Sequence, residues 1–528
     1  MNENAKTIAA GETALGIELG STRIKAVLVD LDGKVLATGG FDWENQFVDR
    51  TWTYPLDLVW RGLAGAYRSL ADNVRADFGA PLTGVGAIGI SAMMHGYLVF
   101  DADGDQLVPF RTWRNNMTKP AADALTEAFQ FNIPQRWCVA HLAQAIMDGE
   151  PHVGEIDYLT SLTGLVHWKL TGRKVVGVGD ASGILPIDPA TAQFDAAMLA
   201  RFDALFADAR PGWKIADILP EVLRAGQDAG RLTAAGALLL DPTGALRPGI
   251  PLAPPEGDGT TSMVATNSVS PRRGNTSVGT SIFTMVVMER PLRRVHPEID
   301  IINTPVGDPV AMVQCNNGAS EVSAWAGLFA EFAAALGADV ATSAVFDTLL
   351  TASLAGDPDC GGLLSYNYLA GEAIAGLSEG RPLFFRTPDS RFTLANFIRS
   401  QLYAVFATMA LGVRTWDDEQ IRLDSMLAHG GLFRTERVAQ RLLAAVLDTP
   451  VAVAETAGDG GAWGMALLAA YRVAGAGRTL GDYLDETVFG HASVRVIEPD
   501  PVEVAGFREH LRRYERALPV MRAAVANS

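Results

Sequence analysis

Two stretches of the chain repeat one design, and that repetition constrains the fold more than any other feature. From Ala14 the sequence reads ALGIELG, a Ser-Thr turn, IKAVLVD, an Asp-Gly turn at Asp32-Gly33, and KVLATGG. Alternating apolar residues broken by Gly, Ser and Asp-Gly mark a β-meander. From Gly274 the design returns as GNTSVGTSIFTMVVMERPL: strand, Gly-Thr-Ser turn, strand. The first hairpin is followed by Leu56, Val59, Leu63, Tyr67, Leu70 and Val74 at helical spacing, then by a strand (GVGAIGISA), the loop MMHG and a further hairpin, YLVFDADGDQLV. The second is followed by a long helix (LANFIRSQLYAVFATMALGVRTW), a strand (SMLAHGG), a helix (RTERVAQRLLAAVLD), a strand (PVAVAE) and a Gly-started helix (GGAWGMALLAAYRVAG). FREHLRRYERALPVMRAAV reads as a terminal helix packed on the second half. Strands followed by helices build α/β layers, and a hairpin opening each half points to a divergent duplication. The switch between halves is expected in the Pro-, Gly- and Thr-rich segment 251–273.

With 528 residues the chain exceeds one compact core, so two large domains are expected. Hydrophobic residues at 48% and charged residues at 20% suffice for large cores and argue against disorder. A net charge of −17 repels nucleic acid and anionic membranes. Cys138, Cys315 and Cys360 are odd in number and widely spaced, so neither a disulfide framework nor a zinc motif follows. The N-terminus lacks the basic start and apolar run of a signal peptide, and no run approaches a membrane span. The expectation is a soluble cytoplasmic protein.

Several short segments carry candidate chemistry. In the first hairpin Gly20, Ser21 and Thr22 can direct backbone N–H groups and hydroxyls into one concavity, a phosphate nest. Glu18, just before the turn, could hold Mg²⁺ directly or through water. The same residues also make an ordinary small-residue turn. Gly279, Thr280 and Ser281 repeat the logic, and the two turns together suggest a clamp on a phosphate chain. Asp258 stands between glycines in EGDGTTSM, where a carboxylate comes close to a ligand and suits a general base in phosphoryl transfer; taken alone, the Asp-Gly pair is a turn. Gly430 and Gly431 at a strand-to-helix junction let backbone approach a flat base or ribose, although such glycines also simply start helices. GDGGAWGMALLA repeats the arrangement. Met94 and His95 lie just past a strand, where ligands of α/β sheets gather, while a lone His is more often structural. Gly84, Gly86 and Gly89 match a dinucleotide fingerprint by letter only, since no helix follows, and no GxxxxGK[ST] occurs.

In this order the segments resemble the FGGY carbohydrate kinases of the actin/sugar-kinase ATPase superfamily, over roughly residues 14–475. The likeness is closest to xylulokinases. It includes TWRNN (Trp113, Arg114, Asn115), GDASGI (Asp180, Ala181, Ser182, Gly183) and YLAGE (Tyr368 to Glu372). The resemblance implies an α/β protein of two duplicated actin-like (ribonuclease H-like) ATPase domains around a central cleft. Residues 14–262 would bind sugar and residues 263–528 nucleotide. It implies Asp258 as catalytic base, Met94 and His95 on the sugar, and Gly20, Ser21, Thr22, Gly279, Thr280, Ser281, Gly430 and Gly431 on ATP, with Mg²⁺ at Glu18. The substrate would be a small sugar, D-xylulose first, with ribulose, other ketoses and sugar alcohols open. Homodimers are common among relatives of this kind. Two departures stand out. Glu18 replaces the usual Asp, and GDGTTS lacks the small-residue run that usually follows the acid. A chaperone-like or cytoskeletal ATPase and a sugar-responsive binding protein are the competing readings.

Overall fold

Both hairpins form, and each grows into the same kind of sheet. The computed structural model describes residues 3–209, 212–454, 460–475, 477–490 and 494–527. In the first half, β1 (Thr13–Leu19), β2 (Arg23–Asp30) and β3 (Val35–Asp42) run antiparallel through the two expected turns. β4 (Ala87–Ala92) lies parallel to β1, and β5 (Glu256–Gly257) parallel to β4, giving the order β5-β4-β1-β2-β3.

The second half contains β6 (Arg273–Val278), β7 (Ile282–Val287), β8 (Asp300–Asn303), β9 (Pro309–Cys315), β10 (Ser425–His429), β11 (Val451–Ala454) and β12 (Val494–Ile497). Their order is β8-β9-β7-β6-β10-β11-β12. Without the edge strands β8 and β12, the remaining five match the first sheet strand for strand. Each first strand has two antiparallel steps on one side and two parallel steps on the other. The duplication is therefore present in the topology.

β1 is buried along its whole length because helices cover both faces of its sheet. α1 (Leu56–Phe78) covers one face with Val59, Leu63, Tyr67, Leu70 and Val74, as its spacing predicts. Gly39 of β3 permits the close approach, since a side chain there would collide with the α1 backbone at Ala66 and Leu70. α2 (Asp258–Ala265) starts directly after β5, and the expected boundary at 262/263 falls inside it. Farther on come α3 (Leu394–Glu419), α4 (Val438–Leu447), α5 (Gly460–Ala474) and α6 (Pro501–Ala526).

Helices α2 and α5 lie between the two sheets. They share one apolar cluster with Ala14, Val27 and Val29 of the first sheet and Met285, Val287 and Val310 of the second. The small residues of α5 serve this position. Gly464 abuts the α2 backbone at Thr261, and Gly16 of β1 abuts Ala462 and Ala466, so a methyl at either glycine would overlap main chain. α6 docks on the second half as expected: Glu503 pairs with Arg399 of α3, and Tyr366 Oη donates to Tyr514 O at 2.6 Å.

Two local expectations change. The helix read from RTERVAQRLL begins at Val438, because Arg437 adopts φ 67° and breaks it from the short 3-10 turn Gly431–Arg434. In YLVFDADGDQLV the return arm pairs only briefly, through the bridge Phe100 to Gln106 and the bonds Asp101 N to Asp105 O and Leu107 N to Val99 O at 3.1 Å, and strand Leu98–Phe100 pairs regularly with Tyr158–Thr160. Among the described residues no helix is long and apolar enough to cross a membrane. All three cysteines are buried free thiols.

Candidate active site

Three parallel strands end side by side in the first sheet, and each delivers a singled-out residue at its carboxyl end. Leu19 of β1 pairs with Ala92 of β4, which pairs with Gly257 of β5. Just beyond them stand Gly20, Met94-His95 and Asp258. The carboxyl edge of such a sheet is where ligands bind. Asp258 is the first residue of α2; its Oδ1 accepts the N–H of Met94 at 3.1 Å and of Gly259 at 2.9 Å. Gly257 must be glycine here, because a side chain would collide with that of Met94. Among the described residues no lysine or arginine pairs with Asp258.

The electrostatics of the edge follow from its burial. Burial raises the Asp258 carboxyl above its usual range, against the pull of the Met94 and Gly259 amides and the Arg136 charge. Glu18 is buried, and that burial pushes it up to about 7; Asp258 adds to the rise, while Lys25 and the Ala462 N–H of α5 oppose it. Lys25 Nζ stands 3.9 Å from the Glu18 carboxylate. His95 is buried, and burial, with Arg136 nearby, holds the imidazole well below its usual range, so it is neutral. Its backbone is left-handed (φ 69°), and Nδ1 lies 3.4 Å from Gly183 O.

Directly behind Asp258 sits a buried carboxyl pair. Glu256 accepts from Asp180 N at 2.9 Å and Gly179 N at 3.3 Å. Asp180 Oδ2 accepts from Ser161 and Thr163, while Oδ1 has no partner among the described residues. Burial pushes Asp180 up to about 6 and Glu256 well above the carboxylate range. Asp180 belongs to the GDASGI segment; nothing local in the sequence marks Glu256 as its neighbour.

In the second half, β6 and β10 also end together, with Ser277 paired to His429. That brings Gly279, Thr280 and Ser281 beside Gly430 and Gly431. Gly430 has φ 114° and rests against Val278 O, leaving no room for a side chain, whereas Gly431 faces open space. Gly458 and Asp459 of GDGGAWG lie outside the described residues. Both hairpin turns are exposed at Ser21, Thr22, Gly279 and Thr280.

A groove of about 950 Å³ runs between the halves, with Trp113, Arg114, Asn115 and Arg136 on one wall and Asp300 and Glu372 on the other. Its lining stops short of Met94, His95 and Asp258. Arg136 connects the two regions: its carbonyl accepts from Gly96 N at 3.2 Å, and its charge acts on both His95 and Asp258. Arg136 also pairs with Asp300 across the halves, joined by Asn132 Nδ2 to Asp300 Oδ1 at 3.1 Å. Neither Arg136 nor Asn132 stands out in the sequence, because their partner is remote in the chain.

Duplicated sheets around two inner helices, with exposed hairpin turns at corresponding places, define a two-domain fold of the actin-like type. The model of the FGGY family of carbohydrate kinases, N-terminal domain, matches residues 13–265, and that of the C-terminal domain matches 274–473. The chain belongs to the FGGY family of carbohydrate kinases. Comparison with curated proteins found no match. Among solved structures it is similar to the xylulose kinase from Rhodospirillum rubrum at TM-score 0.79 and 20% identity, covering 98% of this chain and 100% of that one. It is also similar to the gluconate kinase from Lactobacillus acidophilus, at TM-score 0.77 and 17% identity, with 98% of each chain covered. The glycerol kinase from Plasmodium falciparum with ADP aligns at TM-score 0.74 and 14% identity, covering 96% of this chain and 98% of that one. At these identities the likeness is one of fold.

Proposed function

We propose that this carbohydrate kinase transfers the γ-phosphoryl group of ATP to a hydroxyl of a small ketose, with D-xylulose the first candidate and ribulose, other ketoses and sugar alcohols as alternatives. The observation that carries the reading is Asp258: an unpaired carboxylate on a sheet edge, fixed by two amides and raised toward the pH at which a base works. In this reading the sugar lies between the groove and Met94-His95, and Asp258 removes the proton from the attacking hydroxyl. The oxygen attacks the γ-phosphorus in line with the departing ADP. The amides of Ser21, Thr22, Thr280 and Ser281 hold phosphate oxygens, and Gly430-Gly431 lie under the nucleoside. Such a reaction needs positioning and charge stabilisation more than covalent help.

The residues present fit Mg²⁺. Glu18 is a buried carboxylate raised by its own burial and by a second carboxylate, which is the environment a cation relieves. Glu18 would hold the ion directly or through water, and the ion would offset phosphate charge. Ketopentoses are placed first because of the segments resembling xylulokinases, of which TWRNN and the Glu372 end of YLAGE line the groove.

The test is ADP release by the purified protein against ketoses, polyols and sugar acids, repeated with Asp258→Asn. The expected result is sugar-dependent turnover with one or a few compounds, and a loss of about 10²–10⁴-fold in the variant while ATP still binds. Near-wild-type turnover in Asp258→Asn removes the base assignment. ATP hydrolysis indifferent to every compound removes the kinase reading.

A further inference from the structure

The two hairpin turns are held in the same way by different means. In the second half, Gly279 O accepts the N–H of Ala319 at 2.9 Å, and Thr280 O accepts that of Gly318 at 2.7 Å. Both donors are main chain and follow β9, the third strand of that motif. Gly318 is forced to be glycine, since a side chain would strike Gly279 O. In the first half, the equivalent carbonyls are Gly20 O and Ser21 O. Gly20 O accepts from Trp43 Nε1 and Ser21 O from Tyr54 Oη, each at 2.6 Å. Trp43 directly follows β3, the third strand of its own motif. Main-chain donors in one half are thus replaced by aromatic side chains in the other.

The consequence follows from the planar trans peptide. The C=O of one residue and the N–H of the next point in opposite directions from one rigid unit. Fixing Gly20 O therefore aims the N–H of Ser21, and fixing Ser21 O aims that of Thr22. The two rings are built to stay in place. They are buried and stack on one another, with centroids 4.3 Å apart and planes 28° apart. Burial also raises the Tyr54 phenol, so it keeps its proton and remains a donor.

We propose that Trp43 and Tyr54 are positioning residues for phosphoryl transfer: they pull the carbonyls of the first hairpin inward so that the Ser21 and Thr22 amides face the phosphate oxygens of the nucleotide. This rests on the kinase reading above and adds to it the groups that set one jaw of the phosphate clamp. The rings do not touch the nucleotide; they act through the turn.

Tyr54→Phe keeps the stack and removes only the hydroxyl, and Trp43→Phe removes the indole N–H. In the full-length protein, each should raise the KM for ATP or lower kcat so that kcat/KM for ATP falls about 3- to 10-fold, the worth of one hydrogen bond. The KM for the sugar and the melting temperature should stay near wild type. Hydrogen exchange, read with a nonhydrolysable ATP analogue bound, should show less protection than wild type at the amides of Ser21 and Thr22 and unchanged protection at Thr280 and Ser281. Unchanged hairpin exchange with unchanged ATP kinetics in Tyr54→Phe overturns the inference. So does an equal loss toward ATP and sugar with a lower melting temperature, which marks plain structural damage. Because the exchange measurement needs no turnover, a wild-type protein that phosphorylates nothing would overturn the kinase reading and leave the anchoring of the hairpin to be decided by exchange.

Discussion

Replacing Glu18 with Gln should stabilise the metal-free protein above neutral pH while weakening its activity. Glu18 is buried, and its carboxyl titrates near 7 instead of the ordinary 4.5. A raised acid pKa means that the folded state holds the proton more tightly than the unfolded chain. Stability is then highest below about pH 4.5, falls as pH rises toward 7, and is flat above that. At 1.36 kcal/mol per pKa unit, the ionised side chain costs the fold about 3 kcal/mol at pH 8. Glutamine keeps the shape and an oxygen that can still accept from Ala462 N, but it never carries the charge. In a chain of this length about 3 kcal/mol corresponds to about 3 °C in melting temperature. Thermal denaturation in a chelating buffer at pH 5, 6, 7 and 8 should show Glu18→Gln higher by about 1 °C at pH 5, the gap widening to about 3 °C at pH 8. A constant offset at every pH, or a less stable variant at pH 8, would refute the reasoning. The same variant should need more Mg²⁺ for turnover with little change in the sugar KM, a trade of function against stability.

Arg136→Gln should move the acidic limb of the kcat–pH profile upward and leave the alkaline limb in place. Its cation opposes the burial-driven rise of Asp258, so without it the base is protonated at higher pH and activity fails sooner on acidification; an unmoved limb would show that the charge does not reach the base. His95→Asn tolerates the left-handed backbone better than Ala and should weaken sugar binding about tenfold in calorimetry. ATP affinity and melting temperature should hold, and equal loss of both ligands would make His95 a structural residue.

Local pattern was enough for the elements whose neighbours lie close in the chain. The hairpin turns, the five buried positions of α1 and the strand end carrying Gly430 are all readable, because period and turn chemistry act within a few residues, whereas Asp258, locally a turn residue, heads a helix behind a two-residue strand. The edge strands β8 and β12 were not readable. β12 alternates only over Val494-Arg495-Val496 and exposes both valines, too short a pattern to mark a core-facing strand. The start of α4 was missed because Arg437 takes a conformation that composition does not signal. Most of the unread site consists of pairs distant in sequence: Asp180 with Glu256, Arg136 with Asp300, and Trp43 and Tyr54 with the first hairpin. Each partner alone is an ordinary residue, and only the folded sheet brings them together.

The duplicated frame also accounts for the different ligands that the proposed reading gives the two halves. Glu18 pairs with Ser91 in the first sheet, and at the matching place in the second Ser277 pairs with His429. One frame therefore offers an acid at the turn and the other a hydroxyl, which in the proposed reading puts the cation on the first side. Past Ser91 the chain continues Ala92-Met93-Met94-His95, with side chains that can shape a pocket. Past His429 it continues Gly430-Gly431, where the first glycine hugs Val278 and the second leaves the surface bare. Side chains with hydrogen-bonding groups can discriminate among hydroxyls, while a bare glycine surface accepts a flat ring without resisting it. In the proposed reading the sugar and the acid–metal chemistry fall to the first sheet and the nucleoside to the second. The division needs no change of fold, only a different residue at corresponding positions of the same strands.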